Sequence, residues 1–272
     1  MGARSAVAGA LLLVAATTAA AAAPNQLPHS WPRCRRRDHN LDVCLQHAIQ
    51  VAIPQLAAGA PEFDIPPLEP LVVNDSITIN RRPGRLSLQL KMSNLYSHGL
   101  SAAKVLSVFS DLDNGVIDMH LTLPISVMSA ESEVEGTILH EPVRRQNGTV
   151  NITFYDLSGI LVVSGRIVER DGDSYLDVNY SRGSILSLGG LDIHFEPLDR
   201  NPQRSAKLNY LLNNNALALW PDMREALENT HADKFVNIAN SIFKKVPLKE
   251  IFLSDDHPAV VAGPTSVLLF GR

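Results

Sequence analysis

Between Leu71 and Leu198 the chain alternates apolar and polar residues with little interruption, and this constrains the fold more than any other feature. Leu86, Leu88, Leu90 and Met92 alternate with Ser87, Gln89, Lys91 and Ser93. Ile117, Met119, Leu121 and Leu123 alternate with Asp118, His120 and Thr122. A period of two puts each apolar set on one face of a strand. Further strands are predicted near 134–139, 150–157, 160–168, 175–180 and 186–195. Turns are predicted at Asp113-Asn114-Gly115, Gln146-Asn147-Gly148 and Asp171-Gly172-Asp173. Roughly seven or eight antiparallel strands in succession make a large meandering sheet, whose one apolar face must be covered.

The cover comes from helices at the two ends. Leu41, Cys44, Leu45, Ala48, Ile49, Ala52 and Leu56 share one side of a helix, with Asn40 available as N-cap, Pro54 bending the last turn and Gly59 ending it. After Pro202 the helical period returns. Trp220, Met223, Leu227, Phe235, Ile238, Ile242 and Val246 fall near one side of a long helix that Pro247 stops. The first helix is joined to the first strand by Phe63–Leu71, FDIPPLEPL, whose three prolines exclude a helix interior. Phe63, Ile65, Leu68 and Leu71 would be badly placed in water, so this segment is expected to run as a strap docked on the body. The fold class is α+β, and periodicity by itself supports a helix packed on a sheet.

Residues 1–23 combine Arg4, an apolar run around Leu11 to Val14 and an alanine tract before Pro24, the pattern of a secretory signal peptide. No later stretch reaches the roughly 18 apolar residues of a spanning helix. The expectation is an extracellular protein with no stable membrane insertion, one domain over 24–253 and a loosely attached tail over 254–272. Without Arg4 the formal charge moves from −4 to −5, which offers nothing to nucleic acid. Arg33, Arg35, Arg36 and Arg37 read as a solvated basic arm. Cys34 and Cys44, the two cysteines of the chain, most simply form one disulfide in an oxidising compartment, pinning that arm to the first helix. Four glycosylation sequons stand at Asn74, Asn147, Asn151 and Asn179. The alternation puts Asn151 and Asn179 on the solvent face, together with Ser181.

A catalytic signature is not legible. There is no G-x-S-x-G, His140-Glu141 lacks the second histidine of a zinc-protease helix, and the nine histidines form no cluster with carboxylates. Asp171-Gly172-Asp173 lacks the further oxygen donors of a calcium loop and reads as a hairpin turn. The expectation is no enzyme, no metal and no cofactor.

The order of these features resembles the takeout and juvenile hormone binding protein family of insects, secreted carriers of small lipids. The likeness runs from the leader through the close cysteine pair, the helix ending in Gly59 and the strap. It continues through NGTVNITFYD (147–156), the hairpin at 169–175, LLNNNALALW (211–220) and IFKKVPLKEIF (242–252). The resemblance implies a long helix wrapped by a highly curved antiparallel sheet, with a short N-terminal helix. It also implies an internal tunnel for an elongated hydrophobic ligand, a juvenile hormone-like terpenoid or a fatty acid, in a haemolymph-type fluid. Expected wall residues are Leu45, Ile49, Ile53 and Leu56 from the first helix, Phe154 and Phe195 from strands, and Trp220, Phe235, Ile238 and Ile242 from the last. Tyr155 and Tyr180 are candidate polar anchors. The hormone binders carry a second cysteine pair that this chain lacks, and a takeout-like role in feeding, circadian or chemosensory physiology is the implied context. Two other classes are an interaction protein with a filled core and a secreted esterase.

Overall fold

The computed structural model describes residues 26–73, 76–80, 86–138 and 140–254. The leader, Asn74 and the tail beyond 254 lie outside the described residues.

A short strand β1 (Cys34–Arg35) precedes helix α1 (Leu41–Gln55), and the strap crosses to β2 (Leu71–Val73). Then come β3 (Ile77–Asn80), β4 (Leu86–His98), β5 (Lys104–Asp111), β6 (Val116–Ile138), β7 (Glu141–Arg170), β8 (Asp173–Ser187) and β9 (Gly190–Pro197). Helices α2 (Pro202–Asn214), α3 (Ala216–Phe243) and α4 (Leu248–Ile251) follow, and β10 (Phe252–Leu253) closes the described chain. β2 through β9 form one eight-stranded antiparallel sheet, and β1 pairs with β10 in parallel.

The strands are fewer and longer than the alternation predicts. β6 and β7 form one hairpin paired from Ile138↔Glu141 to Val116↔Ser164. On one side β6 is flanked by β5 and then β4; on the far side β7 is flanked by β8 and then β9. The predicted breaks are changes of phase inside continuous strands. In β6 the inward residues are odd-numbered through Leu123 and even-numbered from Ser126; in β7 they are even from Gly148 through Phe154 and odd from Leu157. Pro124 of β6 and Asp156 of β7, the latter at φ 47°, sit at the same level between the pairs Leu123↔Leu157 and Ile125↔Tyr155. Both strands turn over together there, and the sheet bends.

Two expectations fail for related reasons. Gln146-Asn147-Gly148 is not a turn but lies within β7. Gly148 is needed because a Cβ there would stand 2.2 Å from the Glu196 carbonyl and 2.7 Å from the Phe195 ring. The reversal falls instead between Ile138 and Glu141, with His140 at φ 73°. Ser181 faces inward and Tyr180 outward, because a bulge between Ser164 and Gly165 shifts the phase of β8 after Val178. The basic arm is solvated at Arg33 and Arg37 but tied to the body at two points: Arg33 donates to the Lys249 carbonyl at 3.1 Å, and Arg36 reaches Asp113 at 3.1 Å.

α1 forms on its apolar spacing, although Asn40 makes no side-chain cap. At its end Gly59 adopts φ 80°, and a Cβ there would sit 2.7 Å from the Ile65 carbonyl of the strap, so only glycine lets the strap pass this close. The strap docks as expected. Phe63, Ile65, Leu68 and Leu71 are buried with Trp31, Leu56 and Val246, and the Leu68 and Glu69 N–H groups donate to the Leu56 and Ala57 carbonyls. The predicted C-terminal helix is two helices, broken at Asn215, whose side chain bonds the Leu211 carbonyl at 2.8 Å. Asn201 caps α2 by accepting from the Arg204 N–H at 3.0 Å, with Pro202 in the first turn. α3 packs against β2, β3, β7, β8 and β9, so the sheet wraps it.

Candidate functional site

Three apolar clusters fill the molecule. One lies at the α2 end, around Phe195, Leu212, Leu219 and Met223; a second joins α1 to β5, β8 and α4; a third holds the strap. Between them the packing is incomplete. α3 is fully buried at Leu219, Met223 and Leu227, yet Phe235 and Ile238 on its inner side are only half-buried. Met119, Leu121 and Leu123 of β6, and Leu157 and Leu161 of β7, face inward and are half-buried as well. They surround a cavity of about 320 Å³ whose wall is almost wholly apolar, at the small end of ligand sites of about 300–1,000 Å³.

The wall takes Ile49, Ile53 and Leu56 from α1, Phe154 from β7, and Phe235 and Ile238 from α3. The other four expected wall residues lie elsewhere. Leu45 is one helical turn before Ile49 and packs in the cluster with Cys34, Val105 and Leu176. Phe195 is 1% exposed in the core under α2, Trp220 leans on Phe154 with ring centroids 6.0 Å apart, and Ile242 packs against the strap cluster. α3 runs about 42 Å at 1.5 Å per residue, and the cavity takes only its middle. The apolar stripe continues past both ends of the cavity as ordinary core. Leu68 of the strap and Leu100, in a short turn after β4, add to the wall. That turn is held by Glu69, whose carboxylate accepts from the Gly99 and Ser101 N–H groups, each at 2.8 Å. Burial pushes the Glu69 pKa up, but these N–H bonds outweigh it and hold the group below its ordinary value.

Tyr155 and Tyr180 cannot anchor anything here: they are 40% and 49% exposed on the outer face. The polar wall residues are Ser97, Ser126, Ser184, Glu228 and His231. Ser97 Oγ lies 3.1 Å from His231 Nε2, and His231 Nδ1 lies 2.9 Å from the Leu227 carbonyl. Burial drives the His231 pKa down, the Lys234 charge adds to this, and the Leu227 bond opposes it in part. His231 was legible: it stands four residues after Leu227 and four before Phe235, on the same helical face. Ser97 was not, because a bulge between Ser93 and Tyr96, with Asn94 at φ 52°, turns it inward. Among the described residues no group of three or more His, Cys, Asp or Glu could hold a metal, and no helix is long and apolar enough to cross a membrane.

Residues 11–253 match the family described as Haemolymph juvenile hormone binding protein (JHBP). The chain belongs to this family. The crystal structure of Epiphyas postvittana Takeout 1 has the same fold, with a TM-score of 0.71 at 20% identity over 82% of this chain and 99% of that one. A lipopolysaccharide binding protein reaches a TM-score of only 0.30 at 12% identity, over 70% of this chain and 38% of its own. The sequence matches no curated protein. Within the matched residues, several side chains have roles that only the fold explains. Asn213, within LLNNNALALW, bonds both the N–H and the carbonyl of Ile193 at 2.8 Å, and Asn240 does the same for Val178 at 2.9 and 2.6 Å. They satisfy backbone groups of β9 and β8 that have no neighbouring strand. Lys244, Lys245 and Lys249 of IFKKVPLKEIF pair with Asp177, Asp64 and Asp173. Cys34 and Cys44 form the disulfide.

Proposed function

We propose that this protein is a secreted carrier that shelters an elongated hydrophobic molecule, of terpenoid or fatty-acid class, in the cavity between the sheet and α3. The cavity carries the reading: a space of about 320 Å³ with apolar walls from five different elements. Moving about fifteen carbons from water into it releases roughly 10 kcal/mol, at ~0.8 kcal/mol per CH₂. Immobilising the ligand subtracts several kcal/mol, and the ~6–8 kcal/mol that remains corresponds to binding from tens of micromolar to about micromolar without a charged contact. The leader pattern, the disulfide and the family's haemolymph description support secretion into an extracellular fluid, with 24–253 as the carrier domain.

A second reading, a secreted esterase, is favoured by the Ser97–His231 contact alone. The arrangement lacks what that chemistry needs. His231 is oriented by a backbone carbonyl rather than a carboxylate, and Ser97 lies in a regular ladder between Leu71 and Met128 rather than on an exposed elbow. We therefore assign no turnover to the site. A filled-core interaction protein has no use for such a cavity.

Native mass spectrometry and solvent extraction of protein secreted from an insect-type host test the assignment. Carrier function predicts a stoichiometric apolar molecule of fatty-acid or terpenoid mass. Protein that comes out empty, and takes up no member of a panel of such molecules, would overturn it. Hydrolysis of simple esters, abolished by a serine-directed phosphonate that labels Ser97, would establish the esterase instead.

A further inference from the structure

The polar corner of the cavity is short of protons to give. The Leu227 carbonyl can only accept, so His231 Nδ1, 2.9 Å away, carries the ring proton. The ring is neutral because burial disfavours its charged form. Nε2 is therefore a bare lone pair, and Ser97 Oγ at 3.1 Å must donate its proton to it. Ser126 lines the same wall, and its hydroxyl donates to the His98 carbonyl at 3.0 Å. Glu228, one turn before His231, is a carboxylate that accepts from the Ile185 N–H at 2.6 Å. Among the described residues, Ser184 is the one wall hydroxyl without a hydrogen-bond partner. What the corner formed by Ser97 and His231 offers a ligand is the lone pairs of Ser97 Oγ.

We propose that Ser97 and His231 together form an acceptor-only anchor, which makes the cavity select elongated apolar molecules ending in a hydroxyl over those ending in an ether, ester or epoxide. The inference rests on the carrier reading and adds a ligand class to it. A ligand hydroxyl donates to Ser97 Oγ and completes the chain from ligand to Ser97, to His231, to the Leu227 carbonyl. At this corner a ligand with only an acceptor oxygen has two outcomes. Either its oxygen meets the Ser97 lone pairs with no proton between them, or it takes the Ser97 proton and strands Nε2. Each leaves a buried polar atom without a partner, which weakens binding by about tenfold. An apolar wall by itself predicts the opposite order, because an ether has one more methyl to bury than the alcohol and no proton to desolvate.

The test uses the full secreted protein, stripped of lipid and loaded with a fluorescent naphthylamine dye, which tetradecanol or its methyl ether then displaces. The alcohol should bind about tenfold more tightly than the ether. In His231→Phe the Ser97 proton becomes free for the ligand, so the ratio should fall to about one or reverse. If that variant does not fold, Ser97→Val provides the same readout, since it removes the hydroxyl and covers Nε2. Wild-type protein that prefers the ether, or a preference for the alcohol that survives both changes, overturns the anchor while the carrier stands. Protein that takes up neither the dye nor either ligand overturns the carrier reading and the anchor with it.

Discussion

Gly183 separates a cavity from ordinary core packing most directly. It lies in the cavity wall, and a Cβ added there meets nothing within 4 Å. Gly183→Leu should fold normally and project its side chain into the space the ligand needs. Excluding about three CH₂ groups at ~0.8 kcal/mol each lowers binding by about 2–3 kcal/mol, read by titration with a fluorescent fatty alcohol. Unchanged affinity would show that the ligand sits elsewhere. Asn240 offers a contrasting case. Its amide satisfies both backbone groups of Val178, so Asn240→Leu strands a donor and an acceptor in a half-buried edge. The expected loss is about 2–4 kcal/mol in chemical denaturation, with no large direct effect on the ligand.

At the scale of elements, the two ends of the chain are tied together through β1, which carries Cys34 and pairs with β10. The disulfide spans ten residues, and in the chain-entropy account a loop of that size contributes about 3 kcal/mol. Its removal by Cys34→Ser with Cys44→Ser should lower the thermal midpoint. Because β1 and β10 share one parallel pair, it should also speed amide exchange at Phe252 and Leu253 before the sheet is affected. Equal loss of protection throughout would mean that these ends are not a separate unit. The bend at Pro124 and Asp156 is the element-scale feature that shapes the site. It lets Leu123, Ser126, Phe154 and Leu157 all reach the cavity from two strands whose simple alternation would have turned half of them outward.

For the whole molecule, acid should be destabilising in two stages. The folded state holds His231 below its ordinary 6.5, so the unfolded chain binds the extra proton first. The stability contributed by neutral His231 is complete above pH 6.5 and is lost as pH falls toward its folded value. Glu69, held below its ordinary 4.5, adds a further loss at lower pH, when its clamp on Gly99 and Ser101 is protonated. Denaturation midpoints measured from pH 7.5 to about 3.5 should therefore be level first and then fall. His231→Phe should flatten the first stage; a profile that it leaves unchanged would assign that stage to another group. The proposed secretion makes its own prediction. Asn147, Asn151 and Asn179 are exposed on the outer face, and protein from a eukaryotic secretory host should lose mass on treatment with a peptide N-glycosidase.

Local physics was enough for the sequence to determine a run of antiparallel strands between an N-terminal and a C-terminal helical region, though not how many strands and helices they make. Alternation marked one apolar face per strand, helical spacing marked α1 and α3, and the three prolines of 63–71 marked the docked strap. A solvent-facing and a buried side differ in every residue along an element, so the signal accumulates with length. Only the tertiary structure decided where that apolar surface closes on itself and where it leaves a cavity. Ile238 lines the cavity and Ile242 does not, although both lie on one face of one helix. The difference comes from what the sheet brings opposite each of them. Bulges and phase changes at Ser93–Tyr96, Pro124, Asp156 and Gly165 reset which residues face inward, and one inserted residue inverts everything beyond it. That inversion put Ser97 beside His231 and sent Tyr180 to the surface, because a polar contact between distant segments depends on register, which no local pattern records.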